Sequence, residues 1–155
     1  MTLETKETLD QETLDGLQKL IRYNIDSSKG FKESAEEIDN ASIATMFREL
    51  ADQRCAIATE LQQHVQWNGE EAVDDGSAIA AMHRAWLAVR GKLSGGDAYA
   101  ILCEAERGED YIKAAYESVL KSTAGSAMNS TLQHQYAKIK TGHDRVRDLR
   151  DSFKS

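Results

Sequence analysis

The sequence predicts an all-α protein, and two observations carry that prediction. The 155 residues contain no proline, although proline averages about 5% of protein residues and is the main breaker of helix interiors. Apolar residues recur at spacings of three and four along most of the chain, and no strand-like alternation competes with that period. Because 155 residues is an ordinary size for one domain, we predict a single helical-bundle domain over residues 1–155.

The first two predicted helices, about 9–38 and 41–68, follow each other through a short polar turn. Thr8 and Gln11 have the spacing of a capping box at the start of the first helix. The second helix is expected to end at Gly69, since glycine commonly follows a helix C-terminus. The apolar stripes of the two helices are Leu14, Leu17, Ile21, Ile25, Ala35 and Ile38, and then Ile43, Met46, Phe47, Leu50, Ile57, Leu61 and Val65.

The other three predicted helices, about 78–91, 97–121 and 127–152, are separated by glycine-containing breaks. The short third helix is expected to end near Gly91, and Asp97 is the predicted N-cap of the fourth. The stripes of these helices are Met82, Trp86 and Val89, then Ala98, Leu102, Ala105, Ile112, Tyr116 and Val119, and finally Leu132, Tyr136, Ile139, His143, Val146, Leu149 and Phe153.

The lengths of the connections predict the topology. Short turns join the first helix to the second and the fourth to the fifth, which favours two antiparallel hairpins. About 28 residues separate the second long helix from the fourth, and they contain the short third helix. This crossover is long enough to return along a helix of about 42 Å, so the second and fourth helices should run parallel. The resulting plan is that of a ferritin-like four-helix bundle.

The charge of the chain argues against two classes of partner. The formal net charge is -7, from 26 acidic and 19 basic residues, and the basic residues are interleaved with acids, which is not typical of nucleic-acid binding. No apolar run approaches the roughly 18 residues of a membrane span, and the first eleven residues are polar. We therefore expect no nucleic acid and no membrane as partner, and a cytoplasmic location.

A layer of polar residues is predicted at the middle of the bundle. Counted from the turn between the first two helices, Ser28, Gln53, Arg54, Glu109 and His143 fall at similar depth. Because a buried charge is costly unless it is paired, we expect Arg54 and Glu109 to pair across the parallel helices. The alternative is that both side chains extend to the surface.

Part of the second helix resembles a known metal-binding pattern. The run from Phe47 to Ala51, followed by Arg54, resembles the second helix of rubrerythrin-like ferritin relatives. Under that resemblance Arg54 stands where a ligand glutamate is expected, Ile57 where a histidine is expected, and Asn24 where the first helix supplies a glutamate. The resemblance therefore implies a degenerate metal site.

The histidines point the same way. A two-metal carboxylate centre in a helix bundle uses Glu-x-x-His pairs, and the residues three positions before the four histidines are not acids. These residues are Leu61 before His64, Ala80 before His83, Thr131 before His134 and Lys140 before His143. We expect no two-metal centre.

A second resemblance covers most of the chain. Five segments are similar to those of an uncharacterised bacterial family of ferritin-like four-helix proteins, over about residues 14–151. The resemblance implies the fold and a bacterial origin, and that family has no established activity to transfer. The segments are Gly30-Phe31, Phe47 to Ala51, His83 to Trp86, Glu106 to Asp110, and His143 to Arg145.

Two functions follow as expectations. The first is a non-enzymatic interaction or stress-associated module, without catalytic residues, bound cofactor or metal, whose partner is an unknown protein or a second copy of the chain. Trp67 and Trp86 are candidates for a homodimer surface, since aromatic residues are enriched at interface cores. The alternative is a protein that binds iron, manganese or zinc near Glu106, Glu109 and His143. An inward, paired Arg54 favours the first.

Overall fold

Five α-helices make up the regular structure of the described part of the chain. The computed structural model describes residues 4–75, 80–93 and 95–154, and these residues form no strand, so the all-α prediction is confirmed. The predicted start of the third helix at residue 78 lies outside the described residues. The helices are α1 (Gln11–Glu37), α2 (Ala41–Trp67), α3 (Ala80–Leu93), α4 (Ala98–Ser122) and α5 (Asn129–Ser152).

Two of the helices begin at side-chain caps. Asn40 Oδ1 accepts a hydrogen bond of 3.0 Å from the Ile43 backbone N–H at the start of α2, and Asp97 Oδ1 accepts one of 3.1 Å from Ala100 N–H at the start of α4. Each cap satisfies a backbone donor that has no partner within its helix. The predicted N-cap at Asp97 is confirmed.

One predicted helix cap is wrong, and one predicted helix end is shifted by two residues. Thr8 does not cap α1, because its Oγ1 accepts a hydrogen bond of 3.1 Å from Thr5 N–H in the preceding turn, and Asp10 is the N-cap residue. Gly91 does not end α3, which continues to Leu93. A glycine within a helix costs only about 1 kcal/mol relative to alanine, which neighbouring residues can offset.

The two hairpins are antiparallel. In the first hairpin Arg48 Nη2 donates to Ala35 O at 3.4 Å, and Ser28 Oγ, earlier in α1, donates to Ala51 O, later in α2, at 2.7 Å. In the second hairpin Tyr116 of α4 bonds Gln135 of α5 at 2.9 Å. Asp110, nearer the start of α4, contacts His143, nearer the end of α5.

The helices α2 and α4, which the crossover connects, run in the same direction. Arg54 of α2 contacts Glu109 of α4. Further along both helices, Glu60 and Tyr116 meet at a shared partner, Gln135 of α5. Because the later residue of α2 lies level with the later residue of α4, the two helices are parallel.

The short helix α3 is fixed by Trp86. The indole is 4% exposed and packs edge-on against Phe31 of α1, with ring centroids 4.6 Å apart. Gly30 of α1 and Gly108 of α4 both face the ring, so the absence of a side chain at these two positions lets α3 approach both helices closely.

Within the part of the chain that the structure describes, none of the helices combines the length and the apolarity needed to cross a membrane.

Candidate functional site: a buried ion pair and a histidine–carboxylate cluster

A fully buried ion pair lies between α2 and α4. Arg54 Nη1 is 2.6 Å from Glu109 Oε1, and Arg54 Nη2 is 2.7 Å from Glu109 Oε2, while both side chains are 0% exposed. The guanidinium and the carboxylate therefore meet through two parallel hydrogen bonds, the strongest geometry for such a pair. This arrangement compensates two charges that would be very costly to bury alone.

Helix α1 supplies further contacts to the guanidinium. Arg54 Nη1 donates to Ser27 Oγ at 3.0 Å, and the Arg54 Cζ lies 5.7 Å from the centroid of the Phe31 ring. The hydroxyl satisfies another donor of the guanidinium, and the ring offers a cation–π contact. The cation is therefore held by α1 and α4 as well as by its own helix.

Other members of the predicted polar layer lie at the margin of this pair. Gln53 is partly exposed, and its Oε1 accepts from Arg54 Nε at 3.5 Å, which is a weak hydrogen bond. Ser28 is directed to the backbone carbonyl of Ala51, so Ser27 takes the role at Arg54. A step of one residue on a helix rotates a side chain by about 100°, which explains the exchange.

A second network of polar side chains crosses the protein, and it was not predicted from the sequence. Asn24 Nδ2 donates to Tyr116 Oη at 3.0 Å, Tyr116 Oη donates to Gln135 Oε1 at 2.9 Å, and Gln135 Nε2 donates to Glu60 Oε1 at 2.7 Å. This network of hydrogen bonds joins α1, α4, α5 and α2. Burial, partly offset by the hydrogen bond from Asn24, raises the pKa of Tyr116, so its hydroxyl stays protonated as a donor.

His143 lies in a third polar group, between α4 and α5. Its Nε2 is 2.7 Å from Asp110 Oδ1 and its Nδ1 is 3.1 Å from Asp144 Oδ1. One ligand-type atom each from Glu106, Asp110 and His143 lie within 4.8 Å of one another. Arg150 Nη1 lies 2.5 Å from Glu106 Oε2. Asp144 Oδ1 also lies 3.3 Å from Arg147 Nη1, so three carboxylates and three basic groups share this face.

The three residues expected near a metal ion under the alternative function, Glu106, Glu109 and His143, do not all lie together. Glu106 and His143 lie together, but Glu109 points into the core toward Arg54, and Asp110 stands beside His143. Neighbouring residues on a helix face directions about 100° apart, so Glu109 and Asp110 serve different groups. The hydrogen bond from His143 lowers the pKa of Asp144.

Asp110 and Asp144 are the residues that the sequence analysis missed. A signal for Asp110 was present: α4 and α5 form an antiparallel hairpin, and counting outward from their turn places Asp110 opposite His143. Asp110 also lies four residues after Glu106, on the same helix face. Asp144 follows His143 directly, and its side-chain rotamer is not readable from spacing.

Only one of the two tryptophans proposed for a homodimer surface is exposed. Trp86 is 4% exposed and packs inward, so it is not available to a partner, and that part of the prediction is wrong. Trp67 is 61% exposed at the end of α2, and its ring meets that of His64 edge-on at a centroid distance of 5.0 Å.

The helices and the buried pair define the class of this protein as an all-α protein with an arginine–glutamate pair at its core. The chain belongs to the family described as Domain of unknown function (DUF2383), whose model matches residues 12–122. The matched residues include α1 to α4 with Arg54 and Glu109, whereas α5 with His143 follows them. No curated protein matches the chain. The family description states no activity.

Proposed function

We propose that this protein is a ferritin-like four-helix bundle that has lost its two-metal centre and acts as a non-enzymatic interaction or stress-associated module in the bacterial cytoplasm. The single observation that carries the proposal is the Arg54–Glu109 pair, 0% exposed between α2 and α4. A fixed guanidinium there adds positive charge where two dications require a cage of carboxylates.

The topology supports the ferritin-like part of the proposal. Antiparallel hairpins α1–α2 and α4–α5, with α2 parallel to α4, are the arrangement of bundles with one long crossover. The crossover contains α3, which packs through Trp86 on α1 and α4.

The donor set does not fit a two-metal centre. Under the ferritin-like resemblance the ligand positions hold Asn24, Arg54, Ile57 and Lys140. Asn24 is committed to Tyr116, Arg54 to Glu109, Ile57 is apolar and 4% exposed, and Lys140 lies on the exposed surface. Such a centre needs about four carboxylates with two histidines, and these four residues do not supply that ligand set.

The oxidase question has a direct test. Iron(II) is mixed with the full chain without oxygen, air is then admitted, and the near-ultraviolet absorbance of the ferric product is recorded. We expect the iron to oxidise at the same rate as in protein-free buffer. Glu109→Gln serves as the matched variant, because it removes the carboxylate that α4 places at the core. Catalysed, multiple-turnover oxidation by the natural chain that is lost in Glu109→Gln contradicts the proposal.

The interaction part of the proposal has a separate test. If a second copy of the chain is the partner, size-exclusion chromatography with light scattering should give a mass that is a multiple of 17.2 kDa and that falls on dilution. Among the described residues, Trp67 is the most exposed large apolar side chain, and we expect Trp67→Ser to shift the equilibrium toward the monomer. A constant monomer mass at all concentrations contradicts homo-oligomer formation and leaves a different protein as the proposed partner.

A further inference from the structure

We propose that Glu106, Asp110 and His143 form a binding site for one divalent transition-metal ion between α4 and α5. Their ligand-type atoms lie within 4.8 Å of one another. Donors around one ion at the usual bond lengths of about 2.0–2.2 Å are themselves roughly 3–4 Å apart, so small rotamer changes bring the three atoms to coordination distance.

The helix geometry explains why these residues converge. Glu106 and Asp110 are one turn apart on α4 and share a face, and the antiparallel α5 brings His143 opposite them. Asp110 has a side-chain exposure of 59%, whereas the His143 side chain is 9% exposed. The site is therefore a shallow one, with a fixed imidazole at its base and an open side from which water can complete the coordination shell.

Asp144 gives the imidazole the orientation that a metal ligand needs. Its carboxylate lies 3.1 Å from His143 Nδ1 and can accept a proton-bearing Nδ1–H, which would leave the Nε2 lone pair for the ion in place of the present contact between Nε2 and Asp110. A carboxylate on the far nitrogen of a ligating histidine fixes its tautomer and increases its basicity. Asp144 is not itself one of the three proposed ligands and acts through His143.

The donor types select the class of ion. One imidazole nitrogen with two carboxylates suits zinc, manganese, iron(II) or cobalt(II). Calcium and magnesium prefer shells made of oxygen alone. The site also lies apart from the Arg54–Glu109 pair, because Glu109 faces the core and is 0% exposed, so a single ion here does not depend on the proposed loss of the two-metal centre.

Arg150 competes with the ion for Glu106. Its Nη1 is 2.5 Å from Glu106 Oε2, so the guanidinium must leave before both carboxylates can bind metal. Asp151 offers a second anchor, since its Oδ1 already accepts from Arg150 Nε at 3.0 Å and Nη2 at 2.9 Å. The metal and the guanidinium are therefore alternative partners of one carboxylate.

The proposal is tested by titrating the full chain with cobalt(II), followed by calorimetry and by the visible absorption of the bound ion. We expect one equivalent to bind. Asp110→Asn should weaken binding by at least about tenfold, because even indirect partners of metal ligands contribute ten- to hundredfold. Asp148→Asn is the matched control, since Asp148 has 70% side-chain exposure on α5 and contacts Arg147; we expect it to change the affinity less than about twofold.

A second pair of variants tests the competition. Arg150→Gln should strengthen cobalt(II) binding by about threefold, the order expected when a partly exposed ion pair no longer has to open. Arg145→Gln removes the same charge from the same helix, where it contacts Glu49, and should have less effect. Equal affinities for the natural chain, Asp110→Asn and Asp148→Asn overturn the site. Binding that responds to Asp110→Asn but not to Arg150→Gln overturns the role of Arg150 alone.

Discussion

Gly142 of α5 leaves the space that the guanidinium of Arg54 occupies. A Cβ atom added at Gly142 would lie 2.6 Å from Arg54 Nη2, 3.0 Å from Leu50 Cδ2 and 3.4 Å from Glu109 Oε2. The distance of 2.6 Å is shorter than any ordinary contact of a Cβ atom with another heavy atom, and the close packing of the core leaves little room for adjustment. The buried ion pair therefore depends on a residue of a third helix that does not bond to it.

The first prediction concerns Gly142→Ala. The added methyl group must displace the guanidinium, which is held by Glu109 and Ser27 and has little freedom to move. We expect the free energy of unfolding to fall by about 1–3 kcal/mol, as for other overpacked cores. Urea denaturation followed by circular dichroism measures it.

Gly91→Ala is the matched control for this prediction. Gly91 also lies within a helix, and in the described part of the chain no atom comes within 4 Å of an added Cβ. Alanine is the better helix former by about 1 kcal/mol, so this variant should be neutral or slightly stabilising. A Gly142→Ala protein as stable as Gly91→Ala would show that the pair can shift freely.

The second prediction concerns the two charges themselves. Arg54→Met leaves the Glu109 carboxylate buried without its partner, and we expect a loss of about 3–5 kcal/mol in the free energy of unfolding. The double variant Arg54→Met with Glu109→Leu removes both charges, and we expect it to regain at least about 2 kcal/mol of that loss, since apolar replacements of a buried pair are often neutral.

An exposed ion pair provides the comparison for the buried one. Arg145 and Glu49 also join two helices, at 2.8 Å, with side-chain exposures of 46% and 56%. Arg145→Met should cost less than about 1 kcal/mol, because solvent screens such pairs. If the double variant at Arg54 and Glu109 is no more stable than Arg54→Met alone, the loss comes from packing around Arg54 and not from an unpaired carboxylate.

Sequence patterns indicate the helices of this protein well and its polar groups only in part. Helical spacing and the absence of proline are local properties, so they predict all five helices directly. The contact between Arg54 and Glu109 also follows from their places on the apolar stripes, together with the cost of burying a lone charge. The hydrogen bond from Arg54 to Ser27, and not to Ser28, depends on a rotation of about 100° that periodicity does not resolve.

Other contacts depend on tertiary packing that the sequence does not encode locally. Tyr116 reads as an apolar stripe residue, yet its hydroxyl links Asn24 to Gln135. From its spacing alone, Trp86 is compatible with an interface position or a core position. Its burial depends on two glycines that are distant in sequence, Gly30 and Gly108, which both face its ring. Spacing reports which face of a helix is apolar, and packing decides which residue meets it.

The third prediction concerns the seat of Trp86. A Cβ atom added at Gly30 would fall inside the indole of Trp86, so Gly30→Ala must displace the ring and with it α3. In a Trp67→Phe background, where Trp86 is the remaining tryptophan, we expect a red-shifted fluorescence emission and a stability loss of about 1–3 kcal/mol. Gly91→Ala in the same background should leave the emission unchanged. An unshifted emission in Gly30→Ala would mean that α1 moves while α3 stays in place.

The fourth prediction concerns the pH dependence of stability and the buried carboxyl of Asp26. Asp26 is 9% exposed beside a cleft between α1 and α3, and among the described residues none bonds its Oδ2. Burial raises the pKa of Asp26, and the nearby Glu33 adds to this, while His83 and Lys29 act in the opposite direction. The folded protein therefore holds this proton more tightly than the unfolded chain does.

The sign of the effect follows from proton linkage. Near pH 4, where an unfolded aspartate titrates, the unfolded chain begins to lose the proton that the folded protein still binds. The contribution of Asp26 to the free energy of unfolding therefore falls as the pH rises through this window and levels off above the folded pKa.

Asp26→Asn cannot titrate, so its stability relative to the natural chain should increase from pH 4 to pH 7 in urea denaturation. Asp52→Asn, at an exposed position of α2, corrects for the loss of one negative charge. If the stability of Asp26→Asn relative to that of Asp52→Asn decreases with rising pH, His83 and Lys29 outweigh burial and the folded pKa of Asp26 lies below its ordinary value.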